Sequence, residues 1–310
     1  MADSEATSVD ARPVELIRAL AVLAERPQAG HAAVAEAVGL GAPADAGTYA
    51  RLFLFGLHPY ASVHLDAGGM LGGEVRDRIG GFWRAVGRTP PGEPDHLSSL
   101  LILYASLLEE GAGRVSPSGY EAGQVLAAKS AVALLHEHLE PWVFSFLDRV
   151  QELGTEFQVR WAALAGEVLL AEAAWAGRPA RLPVHLESAP PLPDPRREGG
   201  KAFLSGLLAP VRSGIVLTRT DLARLASALG MGTGITQRRR ALEDLLSYDP
   251  TAVLTALGDA ALESAERHEG RVATLGATGA FWADRARMAA DLFGELAARA
   301  GPVEHLEEAR

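Results

Sequence analysis

The chain contains no cysteine at all. That removes disulfides, thiolate metal centres, iron–sulfur ligation and cysteine nucleophiles from consideration. Aromatic residues make up only 6%, so each one invites an explanation. Uninterrupted apolar runs stop short of the roughly 18 residues a membrane span requires. The acidic, polar opening Met1-Ala2-Asp3-Ser4-Glu5 lacks the basic and apolar regions of a secretory leader, so a cytoplasmic protein is expected. Net positive charge is missing too. The formal charge is −10, which disfavours non-specific binding to nucleic acid or anionic membrane and favours neutral or basic partners.

What is present is an ordinary globular composition: 310 residues, 48% hydrophobic and 22% charged, ample for a sizeable core. Helical spacing recurs throughout. Val14, Leu16, Ile17, Leu20, Leu23 and Ala24 mark a first amphipathic helix, and Gly47-Thr48-Tyr49 introduces a short one carrying Leu52, Phe53, Phe55 and Leu57. Leu100 to Leu108 is apolar nearly all round and predicts a central helix stopped by Gly111-Ala112-Gly113. Further helices are expected over 119–139, 140–153 with Pro141 in its first turn, and 157–175. β-Branched residues are sparse and alternation is rare, which predicts an all-α fold. Prolines at 179, 183, 190, 191, 193 and 195 then punctuate the chain. The expected organisation is a helical domain over 1–178, a Pro-rich linker over 179–199 and a second helical block over 200–310.

The segment from Pro59 to Leu97 carries the richest chemistry. Pro59-Tyr60-Ala61-Ser62-Val63 and Gly81-Phe82-Trp83 lead into Pro90-Pro91-Gly92-Glu93-Pro94-Asp95-His96-Leu97, a rigid turn presenting an acid and a histidine at the mouth of an apolar helix. Asp95 can serve as a helix cap, while His96 can donate to a peptide carbonyl or titrate near neutrality. Tyr60, Phe82, Trp83, Trp142 and Trp161 can be core fillers or groove walls.

Other signals carry less. His136 and Glu140 stand at metal-ligand spacing, but a third ligand and any His-Glu-x-x-His pattern are missing, so no metal is expected. His138 and Trp142 are expected in the core or a groove wall. Gly230-Met231-Gly232-Thr233-Gly234 follows a helix and lacks a phosphate-binding lysine, which reads as a turn. Residues 218–246, with Arg238, Arg239 and Arg240 at a helix start, give a rival helix-turn-helix reading as a DNA-binding regulator. A structural assembly subunit of a redox complex is a further alternative. Neither a nucleophile elbow nor an acid pair of catalytic spacing occurs, so an enzyme is not expected.

The order Phe53-Leu54-Phe55, Pro59-Tyr60-Ala61-Ser62-Val63, Glu93-Pro94-Asp95-His96-Leu97 and His138-Leu139-x-x-Trp142 resembles the TorD/DmsD family of redox-enzyme maturation chaperones, related to the nitrate reductase delta subunit. The resemblance covers about residues 10–180 and leaves the C-terminal block outside the family's usual size. It implies an all-helical, non-catalytic cytoplasmic chaperone without a cofactor of its own. Its partner would be a molybdenum-cofactor enzyme precursor, bound through the twin-arginine signal peptide and held open for cofactor loading. It also implies a monomer or homodimer, no nucleic acid and no stable membrane insertion. By matching position, Glu93, Asp95 and His96 belong to the peptide-recognition motif, Pro94 and Leu97 shape its loop, and Tyr60 and Trp83 contribute aromatic groove surface. Asp95 is expected to contact the basic region of the peptide, and His96 its backbone.

Overall fold

A computed structural model describes residues 11–111, 122–179, 181–232, 234 and 237–300, backbone only at 11–13. Among these the chain is all-α, and its one β feature is an isolated antiparallel bridge between Tyr60 and His96. The expected helix start at Gly119, the stop at Ala112-Gly113, and Thr233 and Thr236 lie outside the described residues.

Two compact units result. Among the described residues the first spans 11–66, 70–188 and 273–278, the second 67–69, 189–272 and 279–300. In the first unit the helix Leu97–Gly111 packs against Ala11–Leu23 and Ala122–Leu134. Leu100, Leu101, Leu103 and Tyr104 are fully or almost fully buried, as their spacing requires, whereas Ile102 lies 38% exposed on the remaining strip. The close crossing with Ala122–Leu134 uses Gly111, where an added Cβ would come within 3.0 Å of the Ala128 backbone.

Glu140–Leu153 packs against Glu156–Ala176 and the short helix Ala61–Leu65. Their shared core is aromatic. Phe53 lies 6.0 Å from Phe146 and 6.3 Å from Trp161, whose Nε1 donates to Leu20 O at 3.1 Å.

Two π-turns interrupt the helical periodicity. Ala46–Tyr49 widens into Ala50–Leu54, so the helix begun at Gly47-Thr48-Tyr49 ends at a turn in which Phe55 N reaches back to Ala50 O. Ala122–Leu134 widens in the same way into Leu135–Leu139, closed by Glu140 N on Leu135 O. Pro141 explains the second. It has no N–H to give the Glu137 carbonyl four residues back, and beside it Trp142 Nε1 donates to His138 O at 2.9 Å.

The second unit has its own core, built by Phe203, Leu207, Leu222, Leu242, Leu245, Val253, Leu257 and Phe293. A capping box starts Arg219–Ala228: Thr218 Oγ1 accepts from Asp221 N, and the Asp221 carboxylate accepts from Thr218 N. Asp249 caps Pro250–Glu269. Gly214 adopts φ +74°, and an added Cβ would lie 2.4 Å from Ala286 N. Gly214→Ala is therefore expected to cost at least about 2 kcal/mol, combining left-handed strain with backbone overlap. Chemical denaturation of the full chain, read by a probe in the second unit, measures it.

Candidate functional site

The turn at 93–96 and the helix Ala61–Leu65 are held together by backbone pairing on both sides of Tyr60. Ala61 N donates to Asp95 O at 3.0 Å, and Leu97 N to Pro59 O at 2.9 Å. The partners of Asp95 and His96 give each a structural role. Asp95 is 1% exposed and does not cap the helix that follows it. Its Oδ2 accepts from Ser62 Oγ at 2.5 Å and Ser62 N at 3.3 Å, 33 residues earlier, in the first turn of Ala61–Leu65. Ser62 Oγ in turn accepts from Gly72 N at 2.9 Å. The Asp95 carboxylate is thus enclosed, not presented to a basic peptide as expected.

His96 takes the capping role instead. Its carbonyl accepts from Leu100 N, and its Nδ1 accepts from Ser98 N at 3.1 Å at the start of Leu97–Gly111. That bond leaves the ring proton on Nε2. Burial lowers the His96 pKa, against the opposing pull of Glu93, Glu25 and Asp95, which keeps the ring neutral. The Tyr60 ring meets His96 edge-on at 4.9 Å, and its hydroxyl bonds the Glu93 side chain. Burial, with Glu93 second, raises the Tyr60 pKa. Glu93 itself is exposed. Tyr60, Glu93 and His96 therefore form one polar cluster over a clamp made by Asp95 and Ser62.

Pro94 and Leu97 are buried and shape the turn. Pro94 lies against Gly80, where an added Cβ would stand 4.0 Å from its Cγ, and Arg76 Nη2 donates to Gly92 O at 2.7 Å. Both contacts come from the helix Gly73–Ala85, which also carries Trp83. Trp83 is only 8% exposed, so it backs this helix and does not line an open groove; its Nε1 is buried without a hydrogen-bond partner. Trp142 is fully buried and stacks on His64 at 5.1 Å, behind Ala61–Leu65. His138 is 5% exposed and meets Phe82 edge-on at 5.1 Å. Both are core residues here.

Ser62 and Gly72 were not singled out as site residues by the sequence. Ser62 lies in a segment whose aromatic and proline content drew attention, yet nothing local reveals a hydroxyl bridging residues 72 and 95.

His136 Nδ1 pairs with the buried Glu140 Oε2 at 3.0 Å. Among the described residues no group of three or more His, Asp or Glu side chains is placed to hold a metal ion. In the second unit Arg238 Nη1 donates to Leu217 O at 2.9 Å, while Arg239 bonds Glu243, Ser205 Oγ and Lys201 O. Two of the three arginines of the helix-turn-helix reading are thus committed inside the unit.

The pair His138 and His185 gives an acid response. Their rings lie 6.3 Å apart. Burial, then the neighbouring His185 and Arg78, lowers the His138 pKa to about 3; burial and Arg78, against Glu74, lowers that of His185 to about 4. The unfolded rings take up protons near 6.5, so between these limits the unfolded state binds more protons. Stability is flat from this source above pH 6.5 and falls below it, by up to about 1.4 kcal/mol per pH unit per ring. Urea midpoints at pH 7 and pH 5 measure the loss, and His138→Gln with His185→Gln should remove most of that difference.

Among the described residues no helix is long and apolar enough to cross a membrane. Comparison with curated proteins and with solved structures gives no match. Residues 23–148 match the family model described as nitrate reductase delta subunit, a span that contains the whole 59–97 cluster and the π-turn at 135–139. Over residues 23–148 the chain is thus similar to the nitrate reductase delta subunit family, a family of molybdoenzyme maturation chaperones.

Proposed function

We propose that this chain is a cytoplasmic chaperone that binds the twin-arginine signal peptide and apo form of a molybdenum-cofactor oxidoreductase, assists cofactor insertion and delays export. The observation that carries this reading is the polar cluster of Tyr60, Glu93 and His96 on a turn rigidly clamped by Asp95 and Ser62. A twin-arginine leader is a basic region followed by an apolar one prone to helix. Exposed Glu93 meets the basic region, and the acidic charge of the whole chain, −10, speeds the encounter. His96, with its ring proton on Nε2, donates to a peptide carbonyl. Asp95 acts as a positioning residue: it holds the turn and does not touch the peptide. Pro94 and Leu97 fix the loop, and Trp83 supports it from the helix beneath.

The chemistry asked of the site is recognition, not turnover, and none of these residues is placed as a nucleophile and base pair. Co-purification tests the reading. The tagged full chain, captured from its native cytosol, should bring down a molybdoenzyme precursor whose leader is intact by mass spectrometry. Recovery of duplex DNA, or of a mature redox complex without any precursor, contradicts it and favours the regulator or assembly-subunit reading respectively.

A further inference from the structure

Residues 181–188 lie back on the π-turn Leu135–Leu139. The single helical turn Val184–Glu187 donates its first backbone N–H, from Val184, to Glu137 Oε2 at 3.3 Å. The next residue, His185, places its ring 6.3 Å from His138, which in turn meets Phe82 at 5.1 Å. His185 and Leu186 are 7% and 1% exposed. A short segment is therefore seated on one carboxylate and one imidazole, with the Phe82 ring packed against that imidazole.

The seating is incomplete in hydrogen-bond terms. His138 Nδ1 and His185 Nε2 are both buried without partners, and the single bond to Glu137 is at the long end of the N–H···O range. Buried polar atoms left unpaired weaken the docked state. A different segment of similar shape that satisfied His138 would bind this surface better than the chain's own.

The composition of the segment says what that competitor resembles. Arg178 and Arg181 precede Leu182-Pro183-Val184-His185-Leu186, so basic residues run into apolar ones. This is the polarity order of the leader in the proposal above. The surface is also continuous with the Glu93 turn through one element: Gly73–Ala85 holds Gly92 through Arg76 and presents Phe82 to His138, and six helical residues separate these by about 9 Å.

We propose that residues 181–188 are a built-in pseudo-ligand, which covers the surface of Phe82, Glu137 and His138 until the apolar part of the client leader displaces it. The inference rests on the leader-binding reading and adds to it where the apolar region lies and what guards that place. Glu137 accepts a backbone N–H of the leader as it accepts that of Val184, a backbone group of the leader pairs with His138 Nδ1, and the leader's apolar side chains take the place of His185 beside His138.

Val184→Pro in the full chain is the test. Proline fits the first position of a helical turn, and Pro183, at ψ 140°, already has the conformation a following proline demands, so only the donor to Glu137 is lost. The probe is a labelled synthetic peptide with an Arg-Arg pair followed by about ten apolar residues. Val184→Pro should raise its affinity about five- to tenfold and speed hydrogen exchange at 185–188; the added Phe82→Ala should return affinity to wild type or below. Should proline alone leave that exchange unchanged, Val184→Pro with His185→Asp opens the segment by placing a charge near Glu74 and Glu137, and the same affinities are read. Unchanged or weaker affinity with the segment open overturns the pseudo-ligand while leaving leader binding standing. Failure of the peptide to bind either chain overturns the leader reading itself.

Discussion

Replacing Asp95 by alanine should cost about 2–3 kcal/mol of stability and lower affinity for a twin-arginine peptide by at least tenfold. The two effects share one cause. The carboxylate is 1% exposed and receives Ser62 Oγ and Ser62 N, so alanine leaves a buried hydroxyl and the second N–H of Ala61–Leu65 without their acceptor. The turn then loses its side-chain tie to that helix, keeping only the backbone pairs on either side of Tyr60. Glu93 and His96 are no longer fixed against Tyr60, and binding pays the ordering entropy that the clamp had already removed. Asp95→Asn retains one acceptor oxygen and should recover part of both losses. Equilibrium urea unfolding and peptide titration on the same preparations measure them. Loss of affinity in Asp95→Ala with no loss of stability would mean that the carboxylate touches the peptide directly.

Trp142→Ala should produce the largest stability loss of any single substitution considered for the first unit, about 3–5 kcal/mol. The indole is fully buried, stacks on His64 at 5.1 Å and packs on Phe146 at 5.6 Å. Its Nε1 also donates to His138 O at 2.9 Å beside the π-turn. Truncation therefore opens a cavity and removes a buried hydrogen bond at once. Trp142→Phe separates the terms: it keeps most of the volume and loses the donor, so it should cost about 1–3 kcal/mol. If the phenylalanine variant is as damaged as the alanine one, the hydrogen bond at the π-turn dominates over packing.

These two positions illustrate what was legible in the sequence. The all-α class followed from spacing alone, because apolar residues at three and four apart place one face of each helix inward, as at Ile17 and Leu20 or at Leu100 and Tyr104. The turn at 90–97 was also legible, since its prolines fix the backbone and no packing demand explains an acid beside a histidine. The roles within it were not. An aspartate before a helix caps that helix in most readings, and only the three-dimensional approach of Ser62 reveals that Asp95 bonds the first turn of another one while His96 caps its own. Trp83 illustrates the same limit. The resemblance implied groove surface at Trp83, but burial depends on what packs across Gly80 and Pro94. The π-turns escaped for a local reason, because one extra residue per turn disturbs a 3.6-residue periodicity less than sequence variation does. Of their causes, only Pro141 was visible.

Titration of the full chain with the Arg-Arg peptide, wild type against Glu93→Gln with His96→Asn, is the most direct measurement. Asparagine keeps an acceptor for Ser98 N while withdrawing the Nε2 donor, and Glu93 is exposed. Saturable binding to wild type is expected, weakened at least tenfold in the variant while it still unfolds cooperatively. Equal affinity for both chains would contradict the placement of the leader on this turn.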